Sequence, residues 1–402
     1  MRKYIIILCD GMADEPLQLL DGKTPMEAAD TVHMNELAKI SELGMVRTIP
    51  QEMEPGSDTA NLSVLGYDPL IYYSGRSPLE ALSMGVDLSD TDVSFRCNLV
   101  TLSEEQKEYD EKIMLDHSAG EITTEEAAIL IQALKDELSI TGYAFYSGVS
   151  YRHLLVQEQG EVIPLMPPHD ILDQEISDYL THPAILREMM EKSYDILRDH
   201  PINQERRSRG LKSANSAWFW GAGVKPTLPS FTEKYEKKGA MISAVDLLKG
   251  IAVGSGMHNI DVVGVTGGLD NNYLGQGEAA VKALVEDGFD FVYVHIEAPD
   301  EMGHQGNYKN KIKAIENIDH MIVGPMVAEL STADVPFRML VLPDHPTPVA
   351  LRTHTKNPVP YLLYDSEKKI RGSEKFDEKE AQKTGILIEQ GEELIKKLFG
   401  LT

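Results

Sequence analysis

The sequence predicts an α/β protein in which a mostly parallel β-sheet, flanked by helices, carries an inserted α+β domain. Short apolar runs near both ends of the chain are typical of buried parallel strands, and stretches with helical spacing follow some of them. In the middle of the chain the pattern changes to short strands mixed with helices. We therefore predict a core domain of residues 1–92 and 216–402 and a cap domain of residues 93–215.

The first strand and helix lie at the amino terminus. Residues 4–8 are an uninterrupted apolar run that stops at Cys9-Asp10-Gly11, as a central strand followed by a loop would. Apolar residues at helical spacing predict one helix over residues 24–43, with Thr24 as its N-cap. The strand therefore delivers Asp10 to its carboxyl end.

The same pattern, an apolar strand that ends in polar residues, recurs late in the chain. Apolar runs predict strands over residues 291–296, 338–342 and 359–363 and a helix over 309–330. The first of these strands ends in EAPD, the second in PDHP, and the third follows a loop that holds His354. In open α/β sheets ligands bind outside the carboxyl ends of strands, so we expect these polar side chains to converge.

The cap domain is predicted from weaker signals. Strands are expected over residues 95–102 and 151–157, and helices over 124–138 and 185–197. The alternating aromatic residues 218–220 indicate a strand with one buried face rather than a platform for stacking bases.

Composition and charge restrict the function classes. The chain carries 64 acidic and 38 basic residues, a net charge of −26, which argues against a nucleic-acid or anionic-membrane surface. The two cysteines, Cys9 and Cys97, provide no disulfide framework or thiolate zinc site. The amino-terminal apolar stretch of about five residues is shorter than a signal-peptide core or a membrane span. We expect a cytoplasmic protein, either a monomer or a small homo-oligomer.

Three carboxylates and three imidazoles follow the predicted strands, and the set is Asp10, Asp300, His304, Asp344, His345 and His354. Taken singly, each is as well explained by a cap, an Asx turn or a solvated histidine. Asp300 and His304 are four residues apart and would share a helix face. Together the set predicts a site for two divalent cations, Mn²⁺ first, with Zn²⁺, Mg²⁺ or Co²⁺ as alternatives.

A candidate nucleophile lies in the segment EPGSDTAN. Its Pro and Gly predict a tight turn and a helix that begins directly afterwards and lasts to about Leu65, which places Ser57 at the helix N-terminus. A nearby cation would lower the pKa of the Ser57 hydroxyl, so no adjacent general base is required. The alternative is that Ser57 or Asp58 is merely an N-cap.

These residues, in this chain order, resemble the metal and nucleophile signature of the alkaline phosphatase superfamily. Within it the chain resembles the archaeal-type cofactor-independent phosphoglycerate mutases, through the segments CDGMAD, LDGKTPMEAA, PGSDTANLSVLGYDP, YYSGRSPLEA, FRCNLVT, YRHLL, APDEMGHQGN, PDHPTP and HTKNPVP. The resemblance implies an alkaline-phosphatase-like core. It also implies that Asp300, His304 and His354 hold one cation, while Asp10, Asp344 and His345 hold the other with the Ser57 oxygen.

The resemblance further implies that 3-phosphoglycerate passes its phosphoryl group to Ser57 and takes it back on the 2-hydroxyl, without 2,3-bisphosphoglycerate. The partner is then a small phosphorylated metabolite, not a nucleic acid or a membrane. The substrate carboxylate requires cationic residues, for which the candidates are Arg152, His153, Arg207 and Arg209. Arg76 is a further candidate, with a structural salt bridge as its alternative role, and the resemblance implies that Lys249 contacts the serine and the phosphate.

Other functions stay open. The segments NSAWFWGAG and LPSFTEKYEKKGAMISAVDLLKGI are similar to a bacterial branch of the family whose members have been proposed as homoserine kinases. The chain lacks GxxxxGK[ST] and the kinase glycine loop, which favours a mutase over an ATP-dependent enzyme. A metal-dependent phosphatase of the same superfamily is a further alternative. A non-catalytic binding protein is disfavoured, since none of the seven site positions carries an inert residue.

Overall fold

The computed structural model describes residues 2–180 and 184–401. The chain divides into two compact units, a core unit of Met1–Tyr73 with Thr227–Thr402 and a cap unit of Ser74–Pro226. The cap unit therefore begins before, and ends after, the predicted insertion of residues 93–215. No helix in the described part of the chain is both long and apolar enough to cross a membrane.

The described residues form strands that alternate with helices in the core unit and cluster together in the cap unit. The strands are β1 Lys3–Cys9, β2 Glu42–Val46, β3 Val93–Leu102, β4 Met114–Asp116, β5 Tyr143–Tyr146, β6 Arg152–Gln157, β7 Ser216–Val224, β8 Gly239–Ile242, β9 His258–Asn259, β10 Phe291–Ile296, β11 Phe337–Leu342, β12 Val359–Asp365 and β13 Leu387–Ile388.

The helices are mostly short. They are α1 Pro25–Ala28, α2 Val32–Ala38, α3 Ser57–Val64, α4 Pro69–Tyr72, α5 Arg76–Ser83, α6 Thr124–Glu137, α7 Ala184–Leu197, α8 Pro201–Ser208, α9 Phe231–Tyr235, α10 Asp246–Gly254, α11 Tyr273–Val285, α12 Ala298–His304, α13 Tyr308–Ile318, α14 Gly324–Thr332, α15 Glu378–Lys383 and α16 Glu393–Phe399. A π-helical segment, Asp319–Val323, joins α13 to α14. Single 3₁₀ turns lie at Gln18–Leu20, Pro168–Ile171 and Ser177–Tyr179.

The core sheet confirms the predicted fold class. Its strand order is β13-β2-β12-β11-β1-β10-β8-β9, and β12 alone runs antiparallel to both of its neighbours. The run Ile5–Cys9 of β1 is fully buried, because helices cover both faces of the sheet. Strands β10, β1 and β11 are adjacent and parallel, so their carboxyl ends meet at one edge.

The predicted helix over residues 24–43 is wrong. Ala29 is extended, with φ −69° and ψ 144°, so the segment breaks into α1 and α2. Residues 42–46 form β2, which pairs antiparallel with β12. There Gly44 allows the ring of Tyr361 to lie close to the backbone, since an added Cβ would lie 2.7 Å from that ring. Strand pairing with distant residues has overridden the local helical spacing.

The predicted helix over residues 309–330 forms, but it widens into one π turn. Pro325 lies in the first turn of α14 and has no N–H to donate to the preceding turn. The buried Asp319 opens this π segment and accepts hydrogen bonds from the amides of His33 and Met34 in α2. The helix thus supplies a carboxylate that caps a neighbouring helix.

The cap unit is a five-stranded antiparallel sheet with helices packed against it. Strand β3 pairs antiparallel with β4, β6 and β7. Helix α5 packs on β3 and β7, and for this reason residues 76–83 and the whole of β7 belong to the cap unit. Its core includes Trp218, Phe219 and Phe145.

Candidate functional site

The six predicted ligands converge at the carboxyl edge of the core sheet. Asp10 follows β1 directly, Asp300 and His304 lie in α12 just after β10, and Asp344 and His345 follow β11. His354 lies in the loop between β11 and β12. Residues that are hundreds of positions apart in sequence therefore meet because three adjacent strands end together.

The first group, here the outer cluster, consists of Asp300, His304 and His354. The Nε2 atom of His304 lies 3.2 Å from Asp300 Oδ2, and the Nε2 atom of His354 lies 3.4 Å from Asp300 Oδ1. The two Nε2 atoms are only 2.9 Å apart. The Nδ1 atom of His304 lies 3.0 Å from the carbonyl oxygen of Arg352, which orients its ring. Three donor atoms thus face one small volume, as in a cation site.

The second group, here the inner cluster, consists of Asp10, Asp344 and His345, and all three are buried. The Nε2 atom of His345 lies 3.4 Å from Asp344 Oδ2 and 3.6 Å from Asp10 Oδ1. The Oγ atom of Ser57 lies 3.1 Å from His345 Nε2 and 3.5 Å from Asp10 Oδ2. The candidate nucleophile therefore borders the inner cluster.

The two clusters are neighbours. The rings of His345 and His354 lie 4.0 Å apart between centroids. The Thr347 hydroxyl donates to Asp300 and lies 3.3 Å from His345 Nδ1, so one side chain touches a member of each cluster. The two candidate cation sites are therefore adjacent.

The electrostatics of the clusters call for positive charge. Burial, together with the charges of Asp344, Asp300 and Glu297, raises the pKa of Asp10 well above its ordinary value. The Oδ1 atom of Asp10 is buried without a hydrogen-bond partner. A carboxylate oxygen so placed is costly unless a cation meets it, and the surrounding oxygen and imidazole donors are the ligands of Mn²⁺, Zn²⁺ or Mg²⁺. The residues present therefore fit divalent cations.

In the outer cluster the imidazoles already balance the carboxylate. Burial acts to raise the pKa of Asp300, but hydrogen bonds from His304 and His354 prevail and place it well below its ordinary value. The hydrogen bond to Asp300 raises the pKa of His304 to about 9. A cation bound here must displace a proton from the imidazole, so occupancy should rise with pH.

Ser57 is the first residue of α3, not its cap. The N-cap is Gly56, which has no side chain to bond the helix amides. The Asp58 carboxylate accepts from the amide of Thr59 at 2.8 Å and from the Tyr73 hydroxyl at 2.7 Å. The Ser57 hydroxyl is thus left to face the inner cluster, and the first-turn amides of α3 favour an anion beside it.

Asn61 is a site residue that the sequence reasoning missed. Its Nδ2 donates to Asp344 Oδ2 at 3.0 Å and to the carbonyl oxygen of Ser57 at 2.8 Å, while its Oδ1 accepts from the Tyr293 hydroxyl at 2.5 Å. Asn61 therefore ties the nucleophile's helix to a predicted ligand. Its position four residues after Ser57, on the same helix face, is the signal that was available.

His295 was also missed, because it was counted within an apolar strand. It is buried in β10, with Nε2 at 2.8 Å from Asp10 Oδ2 and Nδ1 at 3.1 Å from Ser243 Oγ. Burial lowers the pKa of His295 to about 4, so the ring is neutral and holds Asp10 by one hydrogen bond. A histidine inside a buried strand needs partners for both nitrogens, which is the general signal for such a role.

A buried lysine joins two of the ligand-bearing loops. The Nζ atom of Lys311 donates to Asp14 Oδ2 at 2.7 Å and to the carbonyl oxygens of Ala13 and Thr347 at 3.2 and 2.9 Å. The loop after β1 carries Asp10, and the loop after β11 carries His345. Lys311 therefore positions the ligands without touching them.

Gly11 permits the close approach of these loops. Its φ is +59°, in the left-handed region, and an added Cβ would lie 2.6 Å from Thr347 Oγ1 and 2.7 Å from the Cα atom of Asp300. Its amide donates to Asp344 Oδ1 at 3.0 Å.

The cap unit contains a basic cap cluster, defined as Arg76, Arg96 and Arg152. Arg76 and Arg96 share the carboxylate of Glu80, at 3.3 and 2.9 Å. The Nε atom of Arg152 is buried without a hydrogen-bond partner. Burial lowers the pKa of Arg96 to about 10, and the positive charges of Arg76 and Arg152 add to the effect. Three guanidinium groups, of which only two share a carboxylate, are a ready site for an anion.

Aromatic side chains border this cluster. The Arg96 guanidinium lies 4.3 Å over the Trp220 ring, and the His169 ring lies 5.2 Å from the same indole. His117 lies 6.0 Å from His169. The sequence predicted Arg76 and Arg152 as substrate residues. It did not single out Arg96, His117 or His169, and it assigned Trp220 to a strand without a contact to a guanidinium group. Arg96 lies inside a predicted strand. Because arginine is rarely buried unless it is paired, its presence in that strand was the available signal of a functional or structural role.

Four predicted substrate residues lie elsewhere or are already paired. His153 follows Arg152 in β6 and so points to the opposite face, where it is buried and burial lowers its pKa to about 3. Arg207 binds Glu104 at 3.3 Å, and Arg209 lies 3.6 Å from Glu126. Lys249 binds Asp261 at 2.8 Å. Of these four side chains, those of Arg207, Arg209 and Lys249 are thus paired with carboxylates, and that of His153 is buried.

Comparison with known proteins identifies relatives of the chain along its whole length. A family model described as 2,3-bisphosphoglycerate-independent phosphoglycerate mutase matches residues 38–203. A mutase of that description from Methanosarcina barkeri is 46% identical over 98% of each chain. The solved PH0037 protein of Pyrococcus horikoshii is 30% identical, with a TM-score of 0.82, over 100% of this chain and 97% of that one. A cofactor-independent phosphoglycerate mutase from Thermoplasma acidophilum is 29% identical, with a TM-score of 0.64, over the whole of both chains.

Proposed function

The chain belongs to the family of 2,3-bisphosphoglycerate-independent phosphoglycerate mutases, and we propose that it interconverts 3-phosphoglycerate and 2-phosphoglycerate through a phosphoserine at Ser57. The observation that carries the proposal is the position of the Ser57 hydroxyl. It borders a buried group of two carboxylates and one imidazole, at 3.1 Å from His345 Nε2. A second group of three donors lies alongside.

Two divalent cations are proposed for these groups. Asp300, His304 and His354 would hold one, and Asp10, Asp344 and His345 would hold the other with Ser57. When bound, such cations neutralise charge on phosphoryl oxygens and lower the pKa of a hydroxyl group. We propose Mn²⁺ first, with Zn²⁺, Mg²⁺ or Co²⁺ as alternatives, because the donors combine hard carboxylates with borderline imidazoles.

The residues of the chain account for the rest of the reaction. The Ser57 hydroxyl loses its proton as its Oγ atom forms a bond to phosphorus; the bond between phosphorus and the substrate's 3-oxygen breaks, and that oxygen takes up a proton. The 2-hydroxyl oxygen then loses its proton as it attacks the same phosphorus, the bond from phosphorus to Ser57 Oγ breaks, and Oγ takes a proton back. No phosphate is released and no nucleotide is consumed. Asn61 and His295 orient Asp344 and Asp10, respectively, by hydrogen bonds to their carboxylates.

The substrate carboxylate is assigned to the basic cap cluster. Guanidinium groups bind carboxylates through two parallel hydrogen bonds, and the buried Nε of Arg152 has a free donor for this purpose. Arg96 is held rigidly by Glu80 and the Trp220 ring, so it loses little entropy on binding. We propose that Arg76 and Arg152 of the predicted set, together with Arg96, bind the carboxylate.

The central test compares Ser57→Ala with Ser63→Ala, which removes a buried hydroxyl from the same helix. Conversion of 3-phosphoglycerate to 2-phosphoglycerate is measured without ATP and without 2,3-bisphosphoglycerate. The Ser57 variant should lose turnover by several orders of magnitude, while the Ser63 variant keeps it. Acid-quenched enzyme should carry phosphate on Ser57 by mass spectrometry. Turnover in the Ser57 variant would refute the nucleophile.

The same preparation separates the alternatives. Homoserine phosphorylation with ATP would indicate a kinase, and release of free phosphate would indicate a phosphatase. Metal analysis of wild type should give two cations per chain, and Asp300→Asn should lower that number. We also propose a cytoplasmic monomer or small homo-oligomer, since its substrate is a metabolite. Light scattering tests the oligomeric state, and cell fractionation tests the cytoplasmic location.

A further inference from the structure

A third group of metal-type donors lies in the core unit and takes no part in the proposed reaction. It consists of His33, Asp319 and His320, whose candidate ligand atoms all lie within 4.8 Å of one another. His33 lies in the first turn of α2, and the other two open the π-helical segment. The Asp319 side chain is buried, whereas that of His320 is 40% exposed. The group therefore has one anchored carboxylate and an open face.

The carboxylate is held in place before any cation binds. Asp319 Oδ1 accepts from the Met34 amide at 2.7 Å, and Oδ2 accepts from the His33 amide at 3.1 Å. A carboxylate offers about four lone-pair sites, so these two bonds leave acceptor capacity on both oxygens. The Nδ1 atom of His320 lies 3.4 Å from Oδ2. Two elements that are distant in sequence are thus joined at one ligand.

The helix is shaped to admit the His33 ring. An added Cβ at Gly324 would lie 2.5–2.8 Å from three atoms of that ring, so a larger residue there would displace the ring. The rings of His33 and His320 are 5.9 Å apart between centroids and nearly perpendicular. The π turn that contains Asp319 and His320 is a helical irregularity of a kind that recurs at functional sites.

We propose that His33, Asp319 and His320 form a separate binding site for a borderline divalent transition metal, of which Zn²⁺ is the representative. Two imidazoles and one carboxylate are a common zinc ligand set, and water completes the coordination. Imidazole donors favour Zn²⁺, Ni²⁺ and Cu²⁺ over Mn²⁺, so this site differs in preference from the carboxylate-rich inner cluster. The partly exposed imidazoles make the bound ion exchangeable with solution.

The alternative is that the histidines are only solvated and that Asp319 is only a cap for α2. The experiment compares the full-length wild type with His33→Ala/His320→Ala, after saturation with Mn²⁺. His258→Ala is the matched control, since it removes another exposed histidine of the core unit. Each protein is dialysed against Zn²⁺, and bound zinc and manganese are counted per chain by mass spectrometry.

Wild type and His258→Ala should bind one zinc equivalent more than the double variant, with manganese and mutase activity alike in all three. Each single variant should weaken zinc binding about tenfold or more. Equal zinc content in wild type and double variant overturns the proposal. If the double variant has a lowered unfolding midpoint, His320→Ala alone decides, because that side chain is the exposed one. Mutase activity is measured separately, so failure of the proposed function leaves this result readable.

Discussion

Replacing Lys311 by methionine tests whether the buried ammonium group organises the cation site. Methionine keeps the length of the side chain but removes its charge and three hydrogen bonds. The Asp14 carboxylate then remains buried with the Val349 amide, at 3.1 Å, and loses its cationic partner. The carbonyl oxygens of Ala13 and Thr347 are left without this donor.

The expected cost follows from the burial of the pair. The side chains of Lys311 and Asp14 are both 0% exposed. Removing one member of such a pair lowers the free energy of unfolding by about 3–5 kcal/mol. The control is Lys282→Met, because Lys282 is 60% exposed and pairs with the exposed Asp287. That change should leave the free energy of unfolding nearly unchanged, because exposed ion pairs are screened by solvent.

Denaturant unfolding measures the two losses, and metal titration measures the effect on the site. Because Lys311 joins the loops that carry Asp10 and His345, its variant should bind Mn²⁺ more weakly and recover part of its mutase activity at high Mn²⁺. Lys282→Met should bind as wild type does. A Lys311 variant with wild-type stability and Mn²⁺ affinity would refute the reasoning. Partial rescue of stability by Asp14→Asn would identify the stranded carboxylate as the cause.

Three further changes test the same region. Gly11→Ala should lower stability and Mn²⁺ affinity in titrations, because an added Cβ would lie 2.7 Å from the backbone of α12. The control is Gly22→Ala, where φ is +78° and an added Cβ would meet no atom within 4 Å, so it should show only the backbone cost of about 1–2 kcal/mol. His295→Ala should weaken cation binding about tenfold or more in calorimetry, since Asp10 loses its donor, and unchanged affinity would exclude a positioning role. Burial raises the pKa of Glu378 from 4.5 to about 7, so wild-type stability present below pH 4.5 is lost as pH rises through 7, by up to about 3 kcal/mol. Urea unfolding of Glu378→Gln across that range should show a flatter profile, and parallel profiles would contradict the assignment.

The convergence of the candidate ligands could be predicted from sequence, because the sheet topology brings them together. Asp10, Asp300 and Asp344 each follow an apolar run, and parallel strands that end at one edge bring such residues together whatever their separation in the chain. The identity of the residue types then restricts the chemistry. No knowledge of loop conformation was needed for this step.

The residues that hold the candidate ligands in place were harder to predict from sequence. His295 and Lys311 act from inside a strand and a helix, where the hydrophobic pattern treats them as interruptions. Their role depends on which backbone atoms lie opposite them, and this is set by packing between elements. The failed helix over residues 24–43 has the same origin, since β2 exists because β12 is available to pair with it.

The cap residues show how a correct motif can mislead at the level of single side chains. The segment YRHLL was chosen for both Arg152 and His153, but successive residues of a strand point to opposite faces. Arg152 lies on the same face as Arg96, whereas His153 is buried on the opposite face. Arg207 was attractive as a basic residue, yet it is already balanced by Glu104.

Local charge, rather than the net charge of −26, determines which ions the chain can hold. In the core unit, Asp10 is buried close to Asp300 and Asp344, whose charges make its ionisation harder, and a cation would relieve this repulsion. In the cap unit, the guanidinium groups of Arg76 and Arg96 share one carboxylate, and the Nε atom of Arg152 has no partner, so this group favours an anion. A phosphoglycerate carries both a phosphoryl group, which suits cations, and a carboxylate, which suits guanidinium groups. Loss of a cation should therefore lower kcat, whereas Arg152→Ala should chiefly raise KM, because the carboxylate does not change in the reaction.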